Sequence, residues 1–203
     1  MTHPQSPLAC FHPSNTLTYL SLLAGVGSIA AAAHGSGSAA GALIALAAIA
    51  DTFDGRLARR FIRSDSMRAF GAELDSLCDA AVFGAAPIIC AAWLNPPLAG
   101  PQELFWWGSA FVYVACCVTR LGFYNLADDA EGFVGVPAPA AALLWSTLRL
   151  TDPAPGLEAA LLGLAGAAMV APIRVPRPAG AGLAAFVAWP LGLLGVYLDA
   201  LLR

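Results

Sequence analysis

Residues 51–87 read "DTFDGRLARRFIRSDSMRAFGAELDSLCDAAVFGAAP". In this stretch Asp51 and Asp54 on one side, and Asp75 and Asp79 on the other, bracket five arginines at 56, 59, 60, 63 and 68. The rest of the chain has another character. Its 203 residues are 59% hydrophobic and 11% charged, with a mean hydropathy of +0.71. Soluble domains carry about 25% charged residues, so this is the composition of an integral membrane protein. The concentration of charge in one place therefore needs a reason.

Apolar stretches approaching the roughly 20 residues that cross a bilayer recur along the chain. Spans are expected near 16–34, 36–53, 76–94, 104–125, 137–151, 155–173 and 180–202, the fifth being short. The expected fold is all-α: a polytopic transmembrane bundle of six to seven helices, forming one domain over residues 1–203. The spacing Gly37-x-x-x-Gly41 suits close helix contact in lipid. Residues 1–15 contain no Arg or Lys, so the basic region of a cleaved signal peptide is not expected.

All ten basic residues are arginine. Five lie at 56–68 and two at 174 and 177, while the turns near 35–38 and 95–103 have none. The positive-inside rule then puts the 56–68 and 174–177 connections in the cytoplasm. An odd number of spans would leave Met1 inside and Arg203 outside. The expected location is the cytoplasmic membrane, with the active site facing the cytoplasm. Cys10, Cys78, Cys90, Cys116 and Cys117 form no C-x-x-C spacing and read as small apolar packing residues. His3, His12 and His34 are scattered, and no nucleic-acid signature is present.

Helical geometry gives the charged stretch its meaning. Asp51 and Asp54 are three apart, and Gly71, Asp75 and Asp79 are spaced by four, so each set lies on one helical face. The residues between 60 and 71 allow a turn, so two antiparallel helices would bring four carboxylates together. The plainer reading is a solvated hairpin whose acids pair loosely with its arginines. Against it stand the inward spacing of the acids, the apolar run Ala80–Ala92 after Asp79, and the small Gly55, Ala58 and Gly71, which let a ligand approach the backbone. A carboxylate at membrane depth costs roughly 2.5–3.5 kcal/mol, so the group calls for compensation. An oxygen-only ligand set favours Mg²⁺ or Mn²⁺. Four acids suit a pair of such ions about 3.5–4 Å apart, an arrangement that clamps phosphates, and the arginines would complement phosphate charge.

The pattern Asp51-x-x-Asp54-Gly55-x-x-Ala58-Arg59, followed by Gly71-x-x-x-Asp75-x-x-x-Asp79, resembles the signature of the CDP-alcohol phosphotransferase family. Within that family, "FGAELDSLCDAAVFGAAP" (70–87), "RLGFYN" (120–125), "FVGVPAPAAA" (133–142) and "MVAPIR" (169–174) are similar to the membrane-type phosphatidylserine synthases. "PSNTLT" (13–18) resembles the family's lead into its first helix.

The resemblance implies transfer of a phosphatidyl group from CDP-diacylglycerol to the hydroxyl of L-serine, giving phosphatidylserine and CMP. It implies that Asp51, Asp54, Asp75 and Asp79 hold two divalent ions, Mg²⁺ or Mn²⁺, with Asp79 also the general base. Asn15, Thr18, Gly55, Ala58, Arg59 and Gly71 would contact CDP-diacylglycerol. For the acceptor's carboxylate Arg120 and Arg174 are candidates, with Asn125 a weaker one; snorkelling to lipid phosphates accounts for the two arginines equally well. Expected partners are CDP-diacylglycerol, a small alcohol with serine favoured, and membrane lipid, with a homodimer as a further option. Glycerol phosphate, inositol phosphate or choline as acceptor would keep the same chemistry. An ion-coupled transporter would instead carry its acids near the midplane, often in repeated halves, and no internal repeat is visible.

Overall fold

Two short 3₁₀ turns, Pro7–Cys10 and Pro13–Asn15, lead into the first long helix. The computed structural model describes residues 6–96, 98–126, 133–175 and 180–203. Helix α1 (Thr16–Ala33) ends where Gly35 takes a positive φ of 76°. Ser36 then caps α2 (Gly37–Ala58), its hydroxyl accepting from the Ala39 amide at 3.3 Å. Such a cap satisfies one of the amides that a helix start leaves without an intrahelical partner.

Helix α3 (Asp65–Asp79) begins eleven residues before the apolar span expected at 76–94. Its first half is polar, so an apolar-run criterion misses it. The start is nonetheless set by local chemistry: the Ser64 hydroxyl accepts from the Met67 amide at 3.3 Å, and Asp65 stands in the first turn, where the helix dipole favours an anion. The rod continues without a break through a π-helical turn, Ala80–Ala85, into α4 (Ala86–Leu94). A π turn disturbs the regular i→i−4 pairing, and here the buried Tyr113 hydroxyl donates to the Phe83 carbonyl at 2.8 Å.

The remaining helices are α5 (Gly100–Leu126), α6 (Ala138–Leu148), α7 (Pro155–Val170) and α8 (Ala181–Leu202). With α3 and α4 counted as one rod, the described residues form an all-α bundle of seven helices, within the six to seven that the sequence predicts. Five of them are long and apolar enough to cross a membrane: 13–33, 37–58, 65–94, 100–126 and 182–202. The expected fifth span, 137–151, is met by α6 and the 3₁₀ turn Arg149–Thr151 that continues it, whereas the expected sixth, 155–173, is shorter because α7 stops at Val170. One feature was not expected. Two-residue strands β1 (Phe133–Val134) and β2 (Arg174–Val175) pair antiparallel, with Val134 opposite Arg174.

The tightest helix packing joins α1 to α2, α5 to α7 and α2 to α8. Gly41 belongs to the expected small-residue pair: a Cβ there would collide with the Tyr197 ring of α8, and the Ser146 hydroxyl donates to the Gly41 carbonyl at 3.0 Å. Gly37 is not so confined, its nearest neighbours lying in ordinary contact. Large apolar side chains such as Leu23, Leu104 and Phe111 point outward, as expected of a surface solvated by lipid. All five cysteines are free, four of them buried, in keeping with a packing role.

Because the helices alternate in direction, the start of α1, the end of α2, the start of α3 and the end of α5 share one end of the bundle. Arg56, Arg59, Arg60, Arg63, Arg68, Arg120 and Arg174 all belong to that end. The opposite end holds residues 34–36, 95–96, 98–99 and 149–154, with Arg149 among them.

Candidate active site

Helix α2 contributes Asp51 and Asp54, one turn apart, and α3 contributes Asp75 and Asp79. Each of Asp51, Asp54 and Asp75 offers a carboxylate oxygen, and the three oxygens lie within 4.8 Å of one another. The Asp79 carboxyl is in hydrogen-bonding contact with Asp51, and Asp75 with Asp54, so all four acids are brought together. All four are half-buried. Carboxylates this close repel one another unless a cation or protons intervene. Oxygens held about 2.1 Å from a shared hard ion would sit at most roughly 4.2 Å apart, so small side-chain adjustments let this set close on one. The donor set therefore fits divalent metal.

Beside the acids lies a cleft of about 220 Å³. Asn15, Thr18, Gly55, Ala58, Arg59 and Gly71, the six residues expected at the CDP-diacylglycerol site, all line it, together with Asp54 and Asp75. Thr18 reaches from α1 to donate to Asp54 Oδ2 at 3.4 Å. Asn15 is held at the mouth of α1 by a short relay: the Ser14 hydroxyl donates to Asn15 Oδ1 at 3.1 Å and lies 2.9 Å from His12 Nδ1. That leaves Asn15 Nδ2 buried with no hydrogen-bond partner among the described residues. A buried amide donor left open is costly unless a ligand's acceptor completes it. Gly71 faces this amide; a Cβ there would stand 3.4 Å from Asn15 Oδ1 and from an Arg63 Nη1.

Four lining residues, Ser14, Arg63, Arg68 and Ala72, were not singled out from the sequence. Ser14 lies inside the quoted lead to the first helix without a role, and Arg63 and Arg68 were counted in the arginine group without assignment. Arg68 is tied to Asp65 at 2.7 Å, one turn away on the same exposed face.

The acceptor candidates do not line this cleft. Arg120 and Asn125 lie on the last two turns of α5, and Arg174 on β2. Arg120 is buried, its guanidinium 4.6 Å from the centre of the Tyr124 ring and within electrostatic range of Asp79. Asn125 accepts from the Ser76 hydroxyl at 2.8 Å, next in sequence to Asp75, and its amide lies 3.5 Å from Glu73 Oε2. Arg174 is exposed on β2. Arg177 and Asp128 lie outside the described residues.

The profile of the CDP-alcohol phosphatidyltransferase family matches residues 11–190, which includes the acids, the cleft and α5. The chain belongs to this family. Among curated relatives, it is 40% identical over 139 residues to a CDP-diacylglycerol–serine O-phosphatidyltransferase of Mycobacterium tuberculosis, covering 64% of this chain and 46% of that one. It is 34% identical over 175 residues to an archaetidylserine synthase of Methanothermobacter thermautotrophicus, covering 82% and 70%. A CDP-diacylglycerol–serine O-phosphatidyltransferase of Helicobacter pylori is 30% identical over 182 residues, covering 86% and 75%. The aligned region thus spans about half the length of the mycobacterial relatives and most of the other two. An integral membrane enzyme family with an acid cluster beside a polar cleft replaces the solvated-hairpin reading.

Proposed function

We propose that this chain transfers the phosphatidyl group of CDP-diacylglycerol to the hydroxyl of L-serine, giving phosphatidylserine and CMP. The observation that carries the reading is the cleft in which Asn15, Thr18, Gly55, Arg59 and Gly71 stand directly against Asp54 and Asp75. The names of the relatives favour serine as the acceptor.

In this reading the acids hold two divalent ions, Mg²⁺ or Mn²⁺, through Asp51, Asp54, Asp75 and Asp79. Bound there, the ions supply charge neutralisation for the pyrophosphate and the departing CMP. The chain's own groups do the positioning. The open amide of Asn15 and the guanidinium of Arg59 receive acceptor atoms of the CDP moiety, and Gly55 and Gly71 keep the cleft walls low. The serine hydroxyl oxygen forms a bond to the phosphorus that carries diacylglycerol, the bond from that phosphorus to the bridging oxygen breaks, and CMP leaves with the electron pair. Asp79 takes the hydroxyl proton on a carboxylate oxygen. An unperturbed carboxylate is a weak base, with a pKa of about 3.9, so proton removal comes late and orientation carries most of the acceleration. Arg120 and Arg174 face the serine carboxylate from the α5 side.

Seven arginines at the cleft end favour a cytoplasmic location for it. The lipid tails then remain in the bilayer beside α1–α3 while the nucleotide enters from water.

The test is turnover of headgroup-labelled CDP-diacylglycerol in membranes containing the full chain, with serine, glycerol phosphate, inositol phosphate and choline supplied in turn. Serine-dependent release of CMP with formation of phosphatidylserine is the expected result. Phosphatidylglycerol phosphate or phosphatidylinositol phosphate as product, with serine inert, would replace the acceptor and keep the family chemistry.

A further inference from the structure

We propose that Tyr124 is a positioning residue for the acceptor: it couples Arg120 to the strand pair that carries Arg174, so that both cations address one anionic group. This deepens the proposed function and rests on it.

The coupling can be followed atom by atom. Arg120 and Tyr124 are four residues apart on α5, hence on one face, and the guanidinium stands 4.6 Å from the ring centroid. The Tyr124 hydroxyl donates to the Val134 carbonyl at 3.1 Å and also accepts from the Val134 amide. Val134 is the β1 residue that pairs with Arg174 on β2. The strand pair is fixed from behind. Gly135 adopts φ of 75°, a Cβ there would collide with the Met169 carbonyl, and its amide donates to the Ile173 carbonyl at 2.8 Å. On the other flank of α5, Asn125 accepts from Ser76, the neighbour of Asp75. The last turn of α5 is therefore clamped between the acid-bearing helix and the strands.

A tyrosine at a helix end near the membrane surface ordinarily sends its hydroxyl toward headgroups and water. Here that hydroxyl both donates to and accepts from a single backbone residue, the partner of Arg174, and Arg120 also hydrogen-bonds the same tyrosine. Losing the hydroxyl should free the strands and loosen Arg120, and losing the ring should free the Arg120 guanidinium altogether. Neither change touches the nucleotide cleft.

The experiment uses the full chain in membranes and the acceptor that wild type turns over. Tyr124→Phe keeps the ring and its volume, so folding is preserved; it should raise the acceptor KM about three- to tenfold, the range for one lost hydrogen bond. The CDP-diacylglycerol KM should stay within about twofold. Tyr124→Leu should raise the acceptor KM further, by about another threefold, on loss of the cation–π face. In an Arg174→Ala background Tyr124→Phe should have a smaller effect than in wild type, because the part of its action that runs through that strand is already lost and only the part through Arg120 remains. Equal rises in both KM values, no rise at all, or full additivity with Arg174→Ala would overturn the proposal. If wild type proves to use glycerol phosphate rather than serine, the acceptor assignment fails separately, and the Tyr124 comparison is made with glycerol phosphate, whose phosphate presents the same anionic target.

Discussion

Thr18 on α1 donates its hydroxyl to Oδ2 of Asp54 on α2, at 3.4 Å, and both side chains face the same cleft. A hydrogen bond to a metal-ligating carboxylate fixes its orientation, and removing such a partner commonly lowers metal affinity ten- to a hundredfold. Thr18→Val, which keeps the shape and deletes the hydroxyl, is expected to raise the Mg²⁺ or Mn²⁺ concentration for half-activation by about tenfold. Thr18→Ser should stay near wild type. A metal titration of turnover separates the two, and equal half-activation for Val and wild type would remove the orienting role.

Asp75→Asn and Asp79→Asn should each lower kcat by about a hundredfold or more, the usual cost of removing a group that stabilises transition-state charge. Asp152 offers the contrast. It lies on the opposite end of the bundle, exposed, with φ of 45° and an ion pair to Arg149 at 2.6 Å. Asn tolerates the left-handed region nearly as well as Asp, so Asp152→Asn should leave turnover within about twofold. Near-normal turnover of the Asp79 variant would dismiss it as proton acceptor.

Exhaustive chelation should abolish turnover, and Mg²⁺ or Mn²⁺ should restore it. A second readout does not depend on catalysis: an ion that binds only the folded chain stabilises it by about 2.7 kcal/mol at a hundred times its Kd. Saturating Mn²⁺ should therefore raise the Tm of the detergent-solubilised chain, and much less so for Asp54→Asn. Full activity after chelation, with no Mn²⁺-dependent rise in Tm, would remove the metal reading.

The sequence made the acid end legible because helical periodicity alone sets which residues share a face. Asp51 with Asp54, and Gly71 with Asp75 and Asp79, follow from spacings of three and four, and the structure brings both sets together. What escaped was whatever depends on contacts between distant segments. The start of α3 at Asp65 carries no apolar signal, so span counting skipped it, although Ser64 and Asp65 are an ordinary cap and first turn. The β1–β2 pair joins residues about forty apart and is too short to show an alternating pattern. The placement of Asn125 against Ser76, 49 residues away, needed the α3–α5 packing.

Gly166 of α7 is a packing requirement of the same kind. A Cβ there would stand 2.7 Å from the Tyr113 Cα and 3.0 Å from its amide nitrogen, and backbone cannot rotate away as a side chain could. Forcing α5 and α7 apart should cost about 1–3 kcal/mol, as overpacking does in close-packed cores. Gly192, with nothing within 4 Å, is the control. Gly166→Ala should lower Tm while Gly192→Ala should not, and equal Tm values would show that α5 and α7 yield without cost.

Glu158 poses the opposite problem, a charge fully buried on the side of the membrane away from the acids. Its two oxygens are engaged by Trp145 Nε1 at 2.8 Å and Asn95 Nδ2 at 2.6 Å, and Arg149 Nη1 lies 3.7 Å away. The ends of α4, α6 and α7 thus meet at one carboxylate. Glu158→Ala removes the buried partner of Arg149, which keeps only the exposed Asp152, and strands two donors, and breaking a buried pair from one side costs about 3–5 kcal/mol. Replacing both charges by apolar residues of similar volume is often neutral or better. The double variant Arg149→Met, Glu158→Leu should therefore recover much of the Tm lost in Glu158→Ala, despite carrying one more substitution. Specific activity of the folded fraction should be close to wild type in both, since the cleft lies at the other end of helices roughly 30 Å long. A double variant less stable than Glu158→Ala would show that the ion pair itself, rather than the absence of an orphaned charge, holds these helix ends together.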